Sequence, residues 1–172
     1  MPVYVALLRA VNIGGTGKLP MAELKSLCID AGFSDVKTYI ASGNVVFRAA
    51  MSAAQVKAAL EGRLRSHTGK HVGVVVRTGK ELAGVLKANP FKKADPSRTV
   101  VIFLDEPPEG SALSHAVGRK GEEMQLGTRE IFVHYVDGIG RSHLKIPAAR
   151  QGTARNMNTL AKLVEIAGRT QA

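Results

Sequence analysis

Two β-rich runs, VKTYIA at 36–41 and NVVFRA at 44–49, have only Ser42 and Gly43 between them, and each is flanked outward by a helical pattern. Glycine supplies the positive φ that a tight turn needs, so this spacing predicts a hairpin. Upstream, residues 3–11 are a nearly continuous apolar run rich in β-formers that ends at Asn12 and Gly14, which reads as a strand buried on both faces. Between that strand and the hairpin, Pro20 opens a helix in which Met21, Leu24, Leu27, Cys28 and Ala31 recur at three and four, with Gly32 as the stop. Downstream, Ser52 and Gln55 have capping-box spacing ahead of Val56, Leu60 and Leu64, and a stop is expected near Gly69. VGVVVR at 72–77 is a fourth strand, and Thr78 with Glu81 caps a further helix through Leu82, Val85 and Leu86 that ends at Asn89-Pro90. The order β-α-β-β-α-β is the split βαβ, or ferredoxin-like, pattern with one added helix.

The polar, proline-containing stretch FKKADPS at 91–97 is the expected boundary, giving a ferredoxin-like subdomain at 1–90 and a second at 91–172. The second half opens with the strand TVVIFL and has a short helical segment around 111–117 after the acidic turn DEPPEG. EEMQL and EIFVHYV then form a hairpin through Gly127 and Thr128, and HLKI is a candidate short strand. Leu160, Leu163, Val164 and Ala167 mark a last helix that Gly168 stops and that Thr153, Asn156 or Asn158 would cap. The fold class is α+β, in two subdomains, the second smaller and closed by a carboxyl-terminal helix.

Among the 172 residues, 24 Lys and Arg against 14 Asp and Glu give a formal charge of +10 and a pI near 10.1. Such a surface draws polyanions such as nucleic acid, nucleotides or acidic lipid, or serves only to keep the protein soluble. A single cysteine, Cys28, excludes an internal disulfide and a cysteine-based zinc site, and its place on a helix face reads as core. The apolar run at the amino terminus is too short to span a membrane, lacks a basic leader and carries Arg9, so a cytoplasmic protein without membrane partners is expected.

Strand and helix directions in a ferredoxin-like half bring three connections to one end: the glycine loop at 12–18, the hairpin tip Ser42-Gly43-Asn44, and the turn HTGKH at 67–71. With Arg9 and Lys18, the backbone N–H groups around Asn12, Gly14 and Gly15 would coordinate an anion; a loop that needs glycine only for its shape is the bland alternative. The segment is not a Walker loop, since Asn12 and Leu19 stand where glycine and Ser or Thr are required, and Pro20 occupies the third glycine position of a dinucleotide fingerprint. Near the carboxyl end, Arg141, His143, Lys145, Arg150, Arg155 and Lys162 meet no carboxylate between Asp137 and Glu165. Arg155, Asn156 and Asn158 precede or open the last helix, whose free N–H groups would add to an anion site if Asn156 or Asn158 is not simply its cap.

Tyr4 and Phe47 fall where RNA-recognition sheets place stacking aromatics, although NVVFRA lacks the expected basic, glycine and aromatic pattern. The five histidines show no metal-binding repeat, no nucleophile elbow occurs, and the carboxylates of DEPPEG and Glu122-Glu123 read as a solvated acidic face. No catalytic residue, metal ligand or cofactor is assigned.

The segments YVALLRAVNIGGTGKLPMAEL, TYIASGNVVF and TARNMNTLAKL, in that order, resemble a widespread bacterial family, the domain of unknown function 1697 family, over nearly the whole chain. The resemblance implies two α+β subdomains, the first ferredoxin-like, and no established reaction. Family members often carry tryptophan where Met157 stands, so a stacking role at that position does not transfer to this chain. The leading functional expectation is a binding protein for an anionic ligand, a nucleotide or nucleic-acid phosphate, at Arg9, Asn12, Gly14, Gly15, Lys18, Ser42, Gly43, Asn44, Lys145, Arg155, Asn156 and Asn158. An enzyme acting on a phosphorylated or carboxylated small molecule and a protein-interaction module are the alternatives.

Overall fold

A computed structural model describes residues 1–12 and 18–171. The chain forms two compact units, Met1–Ala83 with Lys162–Ala172, and Gly84–Ala161.

In the first unit the elements are β1 (Val3–Leu8), α1 (Met21–Asp30), β2 (Ser34–Tyr39), β3 (Asn44–Arg48), α2 (Ala53–Thr68), β4 (Val74–Thr78) and the start of α3 (Gly79–Lys87). The sheet has the order β2-β3-β1-β4 with every neighbouring pair antiparallel, which is the ferredoxin-like arrangement. Every residue of β1 is buried, so its unbroken apolar run reflects two covered faces. Tyr4, Ala6 and Leu8 face one cluster with Leu24 and Cys28 of α1 and Leu60 and Leu64 of α2, and Phe33 stacks on Phe47 at 4.2 Å within it.

Ser52 and Gln55 complete the capping box of α2 (Gln55 N to Ser52 Oγ 3.2 Å, Ser52 N to Gln55 Oε1 2.9 Å), and Gly69, at φ 77°, ends the helix. Thr78 and Glu81 do the same for α3, at 3.1 and 3.0 Å. The end of α4 (Met157–Gln171) belongs to this unit, where Lys37 Nζ donates to Thr170 Oγ1 at 3.4 Å and the Arg48 guanidinium donates to the Thr170 carbonyl.

The hairpin is longer in its turn than the Ser-Gly spacing predicts. Strand pairing stops at Tyr39 opposite Asn44, and residues 40–43 form the connection. The cause is local: Ile40 takes a left-handed φ of 51°, and Asn44 Nδ2 donates to the Tyr39 carbonyl and to Ser42 Oγ, both at 2.9 Å, closing the turn through a side chain.

The second unit contains β5 (Thr99–Phe103), β6 (Glu123–Leu126), β7 (Glu130–His134), β8 (Thr153–Asn156) and the start of α4. Its sheet order, β6-β7-β5-β8, repeats that of the first, again with all pairs antiparallel. The crossovers are reduced to 3-10 turns, at Ala112–His115 after β5 and at Ile139–Arg141 and Pro147–Ala149 after β7. The helical segment expected at 111–117 is therefore a single 3-10 turn. HLKI is not a strand: only Lys145 pairs, in an isolated bridge with Val117. The strand lies instead in TARN, where the buried side chains are the polar Thr153 and Arg155 and the exposed one is Ala154, the reverse of an apolar-in alternation.

The repeat extends to side chains. Arg77 pairs with Val5 and Arg155 with Val101, each two residues before the helix that follows its strand. Both arginines are buried (1% and 7% exposed), and each donates from Nη1 to the preceding carbonyl, at 3.2 Å for Arg77 and 2.9 Å for Arg155. Among the described residues no helix is long and apolar enough to cross a membrane.

Candidate anion site at the glycine loop

After β1 the chain bends sharply. Ala10 and Asn12 both take left-handed φ values, 52° and 56°, on either side of buried Val11. Asparagine tolerates this region, whereas for alanine it costs about 1–2 kcal/mol, and strain of this kind collects at functional sites. Asn12 then acts as a clasp: Nδ2 donates to the Leu19 carbonyl at 2.9 Å and the Ala41 carbonyl at 2.8 Å, while Oδ1 accepts from the Leu19 N–H at 2.5 Å. The side chain thus ties the two ends of the glycine loop to each other and to the hairpin tip. Residues 13–17, which include Gly14 and Gly15, lie outside the described residues.

The hairpin tip packs closely against the same bend. The Leu8 N–H donates to the Gly43 carbonyl at 2.8 Å, and a Cβ on Gly43, whose φ is 88°, would stand 2.7 Å from Val11 Cγ2 and 2.8 Å from Leu8 Cβ. From the other side the Arg9 N–H donates to the Gly73 carbonyl at 2.9 Å. The described flanks of the glycine loop, the hairpin tip and the turn after α2 therefore meet at one end of the sheet.

Between the first and the third of these lies a cavity of about 220 Å³, walled by Ala10, Val11, Lys18, Leu19, His67, Thr68, Lys70 and Val72. Its floor is apolar, since Val11, Leu19 and Val72 are buried, and its rim is polar, since Lys18, His67 and Lys70 are exposed. Gly69 takes its left-handed turn between Thr68 and Lys70, and Thr68 Oγ1 donates to the Leu64 carbonyl at 2.8 Å, fixing that edge. His67 Nε2 pairs with Glu23 Oε2 at 2.7 Å, so this carboxylate is engaged by an imidazole of the rim. Lys18 and Lys70 then set the sign of the potential at the mouth.

Several residues expected to hold a ligand have structural partners. Asn44 is fully buried and closes the hairpin, and Ser42 accepts its amide. Gly43 is a packing requirement of the bend. On the second unit, Asn156 Oδ1 accepts from the Thr159 N–H at 2.9 Å as the cap of α4, and the Met157 N–H donates to the Pro96 carbonyl at 3.2 Å, which occupies two amides of the helix start. The Arg155 guanidinium also donates to Thr153 Oγ1 at 2.6 Å, and burial pushes its pKa down to about 10, leaving it charged at neutral pH. Lys145 and Asn158 are exposed.

Tyr4 and Phe47 are core residues, 4% and 0% exposed, and Tyr4 donates its hydroxyl to the Met51 carbonyl at 2.6 Å. They provide no stacking platform. Lys70 is the rim residue with no individual signal in the sequence; the return of α2 to the glycine-loop end brings the whole HTGKH turn there. Burial pushes the Cys28 thiol up to about 12, as its core placement requires.

The sequence model of the family described as "Protein of unknown function (DUF1697)" matches residues 1–132. Among solved structures the fold is similar to that of the conserved bacterial protein SP0830 from Streptococcus pneumoniae, with 26% identity, a TM-score of 0.80, and coverage of 96% of this chain and 98% of that one. No curated protein gives a significant match.

Proposed function

The chain belongs to this family of unknown function, and from that premise we propose that it binds an anionic ligand of the nucleotide or nucleic-acid phosphate class at the glycine-loop end of the first unit. The observation that carries the proposal is the pairing of Lys18 and Lys70 on the rim of an apolar-floored cavity beside the clasped loop. At about 220 Å³ the cavity suits a phosphate group with a small attached moiety rather than a whole drug-sized ligand. The remainder of a nucleotide would lie along the rim on the side of Arg9, which adjoins the lining residues Ala10 and Val11 in sequence. Lys145, Arg155, Asn156 and Asn158 are assigned no ligand in this narrower form. A cytoplasmic setting, with a lone protonated thiol and a polyanion-attracting surface, belongs to the same reading.

Thermal unfolding with inorganic phosphate, tripolyphosphate, ATP and a short oligonucleotide tests it. A binder at about 100 times its Kd stabilises by about 2.7 kcal/mol. Lys18→Ala and Lys70→Ala should abolish the shift, Lys145→Ala should not, and added salt should weaken it. Lack of any shift across the panel would remove the proposal. The His67–Glu23 pair beside the cavity favours an enzyme on a phosphorylated small molecule as the second reading, since a carboxylate-oriented imidazole is a general-base arrangement. Turnover of a phosphoester that His67→Ala eliminates would select it.

A further inference from the structure

The second unit carries a cavity of a different character. It measures about 330 Å³ and is walled by Lys120, Glu122, Tyr135, Asp137, Arg141 and His143, together with Gly138 and Ser142. Glu122, expected from its sequence position to belong to a solvated acidic face, is instead buried, 5% exposed. Its Oε2 and Oε1 accept from the Lys120 N–H at 2.8 and 3.3 Å, and its own carbonyl accepts from Arg119 Nε at 2.7 Å. An ionised carboxylate offers about four acceptor positions, so a single N–H leaves capacity for a ligand donor. Burying such a group is costly unless it is paired, which argues for a use. Burial, and secondarily the charge on Glu122, push the Tyr135 phenol up.

The walls are built in advance of any ligand. Val117 and Lys145 exchange both backbone hydrogen bonds, at 2.9 and 2.8 Å, which staples the segment leading to Glu122 onto the segment carrying His143. Gly118 sits in this staple at φ 72°, and a Cβ there would stand 2.1 Å from the His143 carbonyl oxygen. The 3-10 turn Ile139–Arg141 ends on Arg141, which lines the cavity.

We propose that this cavity binds a small zwitterion of the free α-amino-acid class, its ammonium received by Glu122, Asp137 and the Tyr135 hydroxyl and its carboxylate by Arg141 and Lys120. The wall charges decide the class. Two cations and two anions line the cavity, with His143 beside them, so a simple polyanion meets Glu122 and Asp137 and a simple polycation meets Lys120 and Arg141. A ligand with both charges a few bonds apart satisfies both pairs. The assignment is independent of the anion site on the first unit.

Saturation-transfer NMR and calorimetric titration of the full chain with the proteinogenic L-amino acids is the test, followed for each binder by its des-amino acid and its decarboxylated amine. At least one amino acid should bind saturably, and each truncated probe should bind about tenfold more weakly or worse, the loss of one charge-assisted contact. Glu122→Gln and Tyr135→Phe should each weaken binding by about tenfold with the circular dichroism spectrum unchanged. Arg141→Ala, at an exposed position, should do the same even where Glu122→Gln does not fold. The proposal is overturned if no amino acid binds, if a des-amino acid binds as tightly as its parent, or if Arg141→Ala leaves affinity intact.

Discussion

The two sheets have the same strand order and the same antiparallel pairings, yet they are roofed differently. In the first unit, α1 and α2 are full crossover helices, and the cluster beneath them consists mainly of fully buried residues from Tyr4 to Val76. In the second, 3-10 turns replace them, and Leu113, Met124, Leu126, Tyr135 and Leu144 are only partly buried around Val100, Ile102 and Val133. What survives the loss of the helices is instructive: the strand order, the buried arginine on the fourth strand and the capped helix that follows it. What is gained is a set of short polar connections, and these wall the mixed-charge cavity. Core size has been exchanged for loop chemistry.

The comparison breaks most readily at one register position. Phe47 and Val133 are equivalent, since Phe47 pairs with Tyr4, whose other neighbour is the cap residue Thr78, and Val133 pairs with Val100, whose other neighbour is the cap residue Asn156. Phe47→Ala should cost about 3–5 kcal/mol in urea unfolding. Val133→Ala should cost about 1.5–3 kcal/mol, and equal losses would show that the second cluster is as consequential as the first.

Next in size is Gly118→Ala, for which a left-handed non-glycine residue and the His143 carbonyl together predict a loss of about 1–3 kcal/mol. Gly138→Ala, at φ 86° but with open space around it, should cost about 1 kcal/mol. If the two losses match, the staple is not what holds that wall.

Thr78→Ala and Asn156→Ala remove the equivalent caps of α3 and α4, and each should cost about 1 kcal/mol by thermal unfolding. A clear inequality would separate the two helix starts that the repeat makes alike.

The smallest effect uses Cys28, the only thiol in the sequence and a residue of the first unit. With its folded pKa raised from 9.0 to about 12, the unfolded thiol ionises in that interval while the folded one does not. Its contribution to stability is complete below the lower value and is lost as pH rises toward the upper. Cys28→Ala should remove part of the downward slope in that window. In the native protein, labelling of Cys28 by a thiol reagent should be slow and should be accelerated more by Phe47→Ala than by Val133→Ala.

The first unit was largely legible in the sequence because its signals agree with one another: capping boxes at Ser52 and Thr78, apolar spacing in α1 and α2, and an uninterrupted apolar strand. The second was not, for physical reasons that can be named. Strand β8 buries Thr153 and Arg155 and exposes Ala154, so its pattern opposes the rule that identifies strands. Its helical crossovers are too short to have a period. The candidate anion site was legible as a meeting of loops, because topology fixes where connections emerge, but the roles of Asn12 and Asn44 were not. An asparagine that donates to backbone carbonyls distant in sequence, as Asn12 does to Leu19 and Ala41, has no sequence signature distinct from one that awaits a ligand.

The Asn12 clasp has one more implication. Because its amide and carbonyl groups bind both backbone groups of Leu19, Asn12 holds the two flanks of the intervening segment together. Lengthening a loop whose ends are already pinned costs only about 0.6 kcal/mol for each doubling. An insertion between Asn12 and Leu19 should therefore cost little stability in thermal unfolding while the clasp is intact, and Asn12→Ala should remove that tolerance.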